Sequence, residues 1–367
     1  MSLLKNWSDK EILSLGLIKG INSARQIQIV EKFASLDEFM KSEQLFKYSK
    51  MQSEDIFGNK IENLDFADKQ IEQCTKNNVK LISIWDDTYP ELLKQISYPP
   101  VMLYVKGELQ NSDTFAIAIV GTRHRSIYGK MVTEKFTEVF SRNNIVVVSG
   151  LAYGIDSDAH LSTIKSNGIT YAVIASGIDQ LSPAIAVKNA EKIVESGGAI
   201  ISEYRCGVAA TLGSFPQRNR IISGISKATV VIESGIKGGS LITARMAINE
   251  NREVFAVPGN ISSKTSQGTN MLIKQTTAIP ALSAEQILED LGLKKQLFEN
   301  KKEQKIEFAN PVEKKIYYSL GDEPMHIDTI AAVTGLEITE VIVRLLEMEF
   351  KSLIRQLPGK QYIKEIK

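Results

Sequence analysis

Residues 115–130 read FAIAIVGTRHRSIYGK, and this stretch decides which fold the sequence predicts. The first six residues, 115–120, are an unbroken apolar run rich in β-branched side chains. Such a run is typical of a strand that is buried on both faces of a parallel sheet. Gly121 ends the run, and Thr122 and Ser126 are candidate N-caps for the periodic helical segment that follows. The stretch therefore predicts a strand, a glycine turn and a helix.

The turn after this strand is basic. Residues 121–130 carry Arg123, Arg125 and Lys130 and no carboxylate. Hydroxyls and cations beside a helix N-terminus are a common binding place for a phosphate or another anion. The same pattern also fits an ordinary strand-to-helix turn with surface arginines, so the stretch alone leaves both interpretations open.

Length and composition indicate a cytoplasmic globular protein of two or three domains. The 367 residues are 43% hydrophobic and 24% charged, with a net charge of +1, so polyanion binding would need a local cluster of cations. Cys74 and Cys206 are far apart and have no metal-ligand spacing, which suits a reducing compartment. The N-terminus does not resemble a signal peptide, and no run approaches the roughly 18 apolar residues that a membrane span needs.

Residues 115–292 alternate short apolar runs with helical patterns. This alternation predicts a doubly wound, mostly parallel α/β sheet of the extended Rossmann-like kind. The predicted strands are 115–120, 145–149, 170–175, 199–202, 229–233 and 253–257. Ligands of such sheets bind at the carboxyl ends of the strands, so the residues after each run become the site candidates.

Glycine and serine recur in those positions, where they let main-chain amides approach an anion closely. The segments concerned are 149–154, 176–179, 234–240 and 258–260. Residues 215–227 add Arg218, Arg220 and Lys227 and again no acid. The sequence thus predicts an anion-binding edge.

The flanking regions are different in pattern. Residues 1–75 are helical and fit either a SAM-like bundle or a helix-hairpin-helix-like unit around Gly20. Residues 79–107 predict a short strand at 81–85, followed by an extended segment, marked by three prolines, that is laid against the next domain. We draw domain boundaries at 1–75 (helical), 76–292 (Rossmann-like), 293–309 (linker) and 310–367, where three helices and a hairpin predict a winged helix.

No catalytic set emerges from the sequence. His124, His160 and His326 have no metal-ligand spacing, and there is neither a nucleophile elbow nor a G-x-G-x-x-G fingerprint. His160 fits a structural histidine or, near Asp156, a loop-orienting or phosphate-contacting one. We therefore expect binding without a cofactor, a metal or catalytic turnover.

Several motifs together resemble the DNA-processing protein A (Smf) family over residues 80–290. They are IVGTR at 119–123, SGLA at 149–152, FPQRNRIISG at 215–224, GSLITA at 239–244, AVPG at 256–259 and GTN at 268–270. The resemblance implies a non-enzymatic Rossmann-like protein that binds single-stranded DNA and helps to load the RecA recombinase onto it, notably in natural transformation. It also implies a homodimer, and single-strand-binding protein is a further candidate partner.

The resemblance also implies which residues contact DNA. They are Gly121, Thr122, Arg123, Ser126, Ser149, Gly150, Gly154, Lys188, Phe215, Arg218, Asn219, Arg220, Gly239 and Ser240. Phe215 fits a base-stacking platform or a core aromatic. The sequence departs from the family pattern at 184–188, expected to form a longer loop that displaces Asn189, and at 211–214, which bring no cation before Phe215.

Two other functions are open to the sequence. A nucleoside monophosphate phosphoribohydrolase of the lysine-decarboxylase-like Rossmann group would need a catalytic glutamate after its glycine motif, whereas Gly239 and Ser240 are followed by 241–244 without an acid. A transcription factor would read duplex DNA with the third helix of the winged helix. That helix, 339–350, carries one arginine and three glutamates, so we expect it to serve protein contact or dimer regulation.

Overall fold

The computed structural model describes residues 7–42, 53–110, 115–293, 308, 310–321, 324–351 and 353–364. It contains two compact units, Met1–Leu297 and Phe298–Lys367. The finer boundaries drawn from the sequence stay a prediction.

The larger unit is a sheet with helices on both faces. Its described helices are α1 (Asp9–Gly16), α2 (Ser23–Lys32), α3 (Leu36–Lys41), α4 (Ser53–Lys76), α5 (Glu91–Lys94), α6 (Ile127–Arg142), α7 (Ile155–Lys165), α8 (Ala184–Glu195), α9 (Ser214–Ile225), α10 (Ser240–Asn249), α11 (Gln267–Lys274) and α12 (Ala284–Asp290). Its described strands are β1 (Lys80–Ser83), β2 (Met102–Gly107), β3 (Ala116–Val120), β4 (Val146–Ser149), β5 (Thr170–Ile174), β6 (Ala199–Ser202), β7 (Ala228–Val231), β8 (Glu253–Ala256) and β9 (Ile279–Pro280).

The strand order is β1-β2-β6-β5-β4-β3-β7-β8-β9 within the described chain. Strands β3 to β9 that neighbour one another pair in parallel, whereas β2 is antiparallel to both β1 and β6. The chain winds from β3 toward β6 in one direction and from β7 toward β9 in the other. The predicted fold class is confirmed, and each of the six strands predicted within residues 115–292 lies close to its observed bounds.

The segment before β3 differs from the sequence prediction. We expected the residues after the predicted strand at 81–85 to lie as an extended segment against the next domain, but Met102–Gly107 is a strand inside the sheet, between β1 and β6. The prolines at 99 and 100 precede the strand and remove no hydrogen bond from it. Buried Leu103 and Val105 explain the position, since both are fully covered.

Alternate residues of the first predicted strand enter two cores. Ile117 and Ile119 pack with Phe136 and Phe140 of α6 on one face, while Ala118 and its alternating neighbours pack with α9 and α10 on the other. This alternation follows from the two-residue repeat of a strand. Burial on both faces explains the unbroken apolar run.

The N-terminal helices pack on the same unit. Helix α1 begins with a capping box, in which the Ser8 hydroxyl accepts from the Glu11 amide and the Glu11 carboxylate accepts from the Ser8 amide. Ile12 and Leu15 of α1 join a core that also contains Tyr104 of β2 and Ile193 of α8. The helical region therefore shares its apolar core with the sheet.

The smaller unit has its own core. Its described elements are α13 (Pro311–Ser319), β10 (Met325–His326), α14 (Ile327–Thr334), α15 (Ile338–Phe350), β11 (Ile354–Leu357) and β12 (Gln361–Lys364). The strands pair in the order β10-β12-β11, and Ile316, Ile330 and Leu345 are fully buried between the helices. Three helices with a hairpin confirm the predicted winged helix.

Candidate nucleic-acid interface

A crevice opens where the winding of the sheet reverses, between the carboxyl ends of β3 and β7. Sheets of this kind bind their ligands at such a switch point. The crevice has a volume of about 370 Å³. It is lined by Val120, Gly121, Thr122, Arg123, His124, Ala152, Asp156, Phe215, Arg218, Asn219, Ile222, Gly238, Gly239, Ser240 and Thr243.

A second cleft of about 530 Å³ adjoins the first and shares four lining residues with it. The shared residues are Arg123, Ala152, Phe215 and Arg218. The second cleft continues past the ends of β4 and β5 to Pro183 and Ile185 at the start of α8. We call the two clefts together the edge groove, because they run along the carboxyl edge of the sheet.

Two glycines allow the loops at this edge to approach one another. Gly154 has φ of +83°, and a Cβ atom there would lie 2.3 Å from the carbonyl oxygen of Thr122. At Gly150 a Cβ atom would lie 2.8 Å from the guanidinium of Arg218 and the carboxylate of Asp156. Any side chain would separate these loops, so the predicted glycines shape the edge groove by packing.

Arg123 and Phe215 form an exposed pair over the groove. The Arg123 guanidinium carbon lies 6.0 Å from the centroid of the Phe215 ring, which is a cation–π contact. Phe215 belongs to the first turn of α9 and is 36% exposed. In the described part of the chain Arg123 has no carboxylate partner. Its charge is therefore available to an anion.

Arg218 lies at the same edge but is buried. Its Nη1 donates to the carbonyl oxygens of Gly150, at 2.7 Å, and Val173, and its Nε donates to Asn219 Oδ1 at 3.1 Å. Burial lowers the pKa of Arg218 to about 10, against the opposing effect of Asp156. Burial also raises the pKa of Asp156, against the opposing effect of Arg218. By donating to both carbonyl oxygens, Arg218 links the loop after β4 to strand β5.

Arg220 is engaged in an ion pair. Its Nη2 donates to both carboxylate oxygens of Glu203 at 2.5 Å, and the two side chains are 18% and 23% exposed. Residues 215–227 present three cations and no acid in the sequence. In the structure Arg218 is buried and Arg220 is paired with Glu203, so neither offers a free charge to the groove. Glu203 follows strand β6, whereas Arg220 belongs to helix α9, so their spacing in the sequence did not indicate the ion pair.

The hydroxyl groups that were predicted to contact DNA form hydrogen bonds within the protein. Ser126 caps α6 by accepting from the Gly129 amide at 3.0 Å and donates to Glu233 at 2.6 Å. Ser149 donates to the carbonyl oxygen of Ile119 at 2.6 Å. Three further contacts complete the set: Ser240 Oγ to Ser234 Oγ at 2.9 Å, the His124 amide to Thr122 Oγ1 at 3.1 Å and the Ser126 amide to Glu233 at 2.8 Å. These hydroxyls shape the loops of the groove.

Glu233 is a site residue that the sequence analysis missed. It is 2% exposed at the end of β7, and its carboxylate accepts from Ser126 and from the Thr265 hydroxyl, at 3.0 Å for the latter. Its carbonyl accepts from the Thr122 amide at 2.9 Å. A lone carboxylate directly after an apolar run was the signal available. Glu233 fixes the basic turn to the neighbouring strand end.

Main-chain donors come from the start of α10. Gly239 is its N-cap residue and Ser240 its first residue, and both line the crevice. The first amides of a helix lack partners within the helix and carry the positive end of its dipole. These amides therefore add a second positive region to the crevice that Arg123 also lines.

The segment 184–188 contradicts the sequence prediction. It is not a longer loop but the first part of helix α8, in which Asn189 is buried. An apolar face that packs on the β-sheet core stabilises the helix, through Ala186, Ala190 and Ile193. Lys188 is exposed on this helix and does not line either cleft.

His160 lies inside the protein. It is fully buried, and its Nδ1 is 2.7 Å from the Thr170 hydroxyl. That hydroxyl donates to the Val147 carbonyl at 2.7 Å, so His160 Nδ1 carries the proton and donates to Thr170. Burial lowers the pKa of His160 to about 3. The structural interpretation of this histidine fits its surroundings.

The described residues contain no group of three or more histidine, cysteine, aspartate or glutamate side chains placed to hold a metal ion. No helix within them is long and apolar enough to cross a membrane.

Comparison with known proteins gives consistent matches. The family model for DNA recombination-mediator protein A matches residues 80–292, and that for the DprA winged helix domain matches residues 300–360. Protein Smf of Escherichia coli K12 is 37% identical over 309 residues, which are 81% of this chain and 81% of that protein. DprA of Streptococcus pneumoniae has a TM-score of 0.61 and 30% identity, covering 77% of this chain and 98% of that one.

A further solved structure concerns DNA processing protein A from Helicobacter pylori, described for its single-stranded DNA binding mode. It has a TM-score of 0.52 and 27% identity, covering 58% of this chain and 95% of that one. The family match extends over more than half of the chain and includes all the loops of the edge groove. The resemblance noted in the sequence is thus confirmed, and the chain belongs to the DNA recombination-mediator protein A family, the DprA/Smf proteins.

Proposed function

We propose that this protein binds single-stranded DNA in the edge groove without sequence preference. The observation that carries the proposal is the exposed Arg123–Phe215 pair at the switch point, with 6.0 Å between guanidinium and ring. A guanidinium attracts a backbone phosphate, and an aromatic ring stacks on any base at about 1–3 kcal/mol per base. Every nucleotide offers both groups, so the pair recognises a strand and not a sequence.

The shape of the groove supports a polymer as the ligand. The two clefts share Arg123 and Phe215 and continue into each other along several strand ends, which suits an extended chain. The α10 amides at Gly239 and Ser240 would hold one phosphate and Arg123 the next. Arg218, Ser126 and Ser149 take part by fixing the loops, because their polar atoms are engaged within the protein.

Family membership supports a proposal for the biological role. We propose a recombination mediator that loads RecA onto single-stranded DNA, in natural transformation or in repair, and that meets strands already covered by single-strand-binding protein. The role needs no catalytic turnover and no cofactor, and it places the protein in the cytoplasm with its DNA. Membership of a recombination-mediator family supports this part of the proposal.

We also propose that the protein acts as a homodimer through the Rossmann-like domain. The described residues near the β8 and β9 edge include two strongly exposed apolar side chains, Ile261 at 86% and Leu282 at 75%. Burial of these side chains against a second copy of the protein would remove apolar surface from water and so stabilise a dimer. Sedimentation at several concentrations measures it, and a monomer at all concentrations would contradict this part.

The experiment compares binding of fluorescent single-stranded and duplex DNA of the same sequence by the full chain. We expect clear preference for the single strand and equal affinity for strands of different sequence. RecA assembly is then followed on strands coated with single-strand-binding protein, with and without this protein. Equal binding of duplex and single strand would contradict the first part, and unchanged RecA assembly would contradict the second.

A further inference from the structure

A third cleft lies beyond the edge groove, where the N-terminal helices meet the sheet. Its volume is about 380 Å³, and we call it the junction cleft. One wall comes from α4 through Phe66 and Gln70, and the other comes from the residues after β6, including Arg205 and Val208. Strand β6 is the outermost of the parallel strands on this side, so the junction cleft opens at the same carboxyl edge as the groove.

Arg205 in this cleft resembles Arg123 in its surroundings. Its guanidinium lies 5.0 Å from the centroid of the Phe66 ring. The side chain is exposed, and across the residues that the structure describes it has no carboxylate partner. Arginine planes that rest on an aromatic ring keep their other face free for a nucleic-acid base. In the described part of the chain, this edge of the sheet therefore carries two exposed arginines that each lie over an aromatic ring.

Gln70 adds a separate sign of a ligand. It lies four residues after Phe66 on α4, hence on the same side of the helix. The residue is 6% exposed, and its Nε2 donates to Gln73 at 3.1 Å. Its Oε1 has no donor within the described protein. A buried acceptor without a donor is costly, and the amino or ring N–H groups of a base would supply one.

The junction cleft and the edge groove are neighbours. The loop after β6 separates them, since Val208 lines the one and Ala209 and Ala210 line the other. Between β3, which leads into the turn with Arg123, and β6 there are three strand intervals, about 14 Å. Two carboxylates of the described residues lie between or beside the clefts. Asp179 accepts from the Gly207 amide at 2.9 and 3.0 Å, and Glu203, which lines the junction cleft, is paired with Arg220.

We propose that the junction cleft is a second subsite for the same DNA strand. A base stacks on the free face of Arg205, its edge donates to Gln70 Oε1, and the guanidinium attracts the adjoining phosphate. The N-terminal helices thereby form the far wall of the DNA path. This inference rests on the proposed single-strand binding, and it adds a residue that the sequence analysis did not select.

The test uses the full chain and a ladder of oligothymidylates from about 4 to about 16 nucleotides, the range of site sizes known for single-strand binders. Arg205→Glu is compared with Arg123→Glu and with Lys165→Glu, a control with the same charge change. Lys165 is exposed at the end of α7, on the opposite edge of the sheet. Circular dichroism and thermal melting check that each variant folds.

We expect Arg205→Glu to weaken binding of the longest strands about tenfold and to leave the shortest strands unaffected, because these reach only the edge groove. Arg123→Glu should weaken binding at every length. Arg205→Lys should keep the salt dependence of the long strands, because the charge remains, while it loses part of the affinity through the missing guanidinium plane.

Two results would overturn the inference in different ways. If Arg123→Glu weakens binding and Arg205→Glu equals Lys165→Glu at every length, the second subsite is wrong and the proposed function stands. If the unmodified protein does not bind the oligothymidylates, both fail together. Phe66→Leu serves as a second variant. If this variant binds the longest strands as tightly as the unmodified protein does, the proposed stacking arrangement is wrong.

Discussion

At the scale of single residues, the structure separates arginines that the sequence presents as equals. Arg123 is exposed over Phe215, whereas Arg218 is 5% exposed and donates to two buried carbonyl oxygens. Both line the crevice at the carboxyl edge of the sheet. Sequence spacing could not show that main-chain acceptors surround one of them, because those acceptors come from β4 and β5, far away in the chain.

Replacing Arg218 should therefore affect stability more than charge recognition. Arg218→Met removes the donors to Gly150 and Val173 and leaves Asp156 buried beside them. Each buried polar group without a partner costs about 1–3 kcal/mol, so we expect a loss of about 3 kcal/mol or more in urea unfolding. Arg123→Gln, at an exposed position, should change the unfolding free energy by less than about 0.5 kcal/mol. Equal unfolding midpoints for the two variants would contradict this assignment.

His160 should make stability depend on pH. The unfolded chain binds a proton below the ordinary histidine pKa of about 6.5, whereas the folded chain does so only near pH 3. Stability is therefore lost as pH falls below about 6.5, and this group accounts for about 2 kcal/mol between pH 7 and pH 5. Asp156, whose pKa is raised, acts in the opposite direction.

The comparison variant is His160→Asn, whose amide can still donate to Thr170. Both proteins contain Asp156, so its effect cancels in the difference between their unfolding free energies. We expect the unmodified protein to lose about 2 kcal/mol more than the variant between pH 7 and pH 5. Parallel pH dependences for the two proteins would show that His160 does not remain neutral in the fold.

At the scale of elements, the sequence predicted the parallel strands well and their neighbours less well. Apolar runs such as 115–120 have one physical explanation, burial on both faces, and so were found almost to the residue. Strand β2 was missed because its paired prolines stand just before it. The start of helix α8 was misplaced because residues 184–188 were compared with a family pattern that this chain does not follow.

The residues of the edge groove divide in the same way, into those that the sequence pattern identifies and those that depend on the strand order. Gly121, Gly150 and Gly154 were found because close loop packing needs glycine in the sequence itself. Glu233 and the partner of Arg220 were not found, because each depends on which strands lie side by side. Arg205, which we propose as a second contact, was not selected because one arginine after a strand has no distinguishing spacing.

Helix α15 of the smaller unit belongs to this scale too. Its exposed side chains include Ile338, Ile342, Val343 and Leu346, each 46% to 54% exposed, and Arg344 pairs with Glu347 at 2.8 Å. An apolar and acidic surface repels phosphates, so residues 310–367 should not bind duplex DNA at physiological salt. An electrophoretic shift with the isolated segment tests this expectation. A shifted band that disappears at high salt would contradict it.

At the scale of the whole molecule, net charge gives no indication of DNA. The chain carries 44 lysines and arginines against 43 aspartates and glutamates, yet unpaired cations lie at the carboxyl edge of the sheet. We expect three to five phosphate contacts, which give a slope of log affinity against log salt of about −2 to −3.5 at about −0.7 for each contact. Titrations at several salt concentrations measure the slope. A slope near zero would mean that phosphates are not bound.

The central claim is that Arg123 at the switch point holds the strand, and affinity of the Arg123→Glu variant tests it most directly. Fluorescence anisotropy with a single-stranded oligonucleotide should show at least about tenfold weaker binding, or about 1.4 kcal/mol, equally for all sequences. The salt slope should fall by about 0.7, while Lys165→Glu behaves as the unmodified protein. Unchanged affinity and slope in Arg123→Glu would contradict the account.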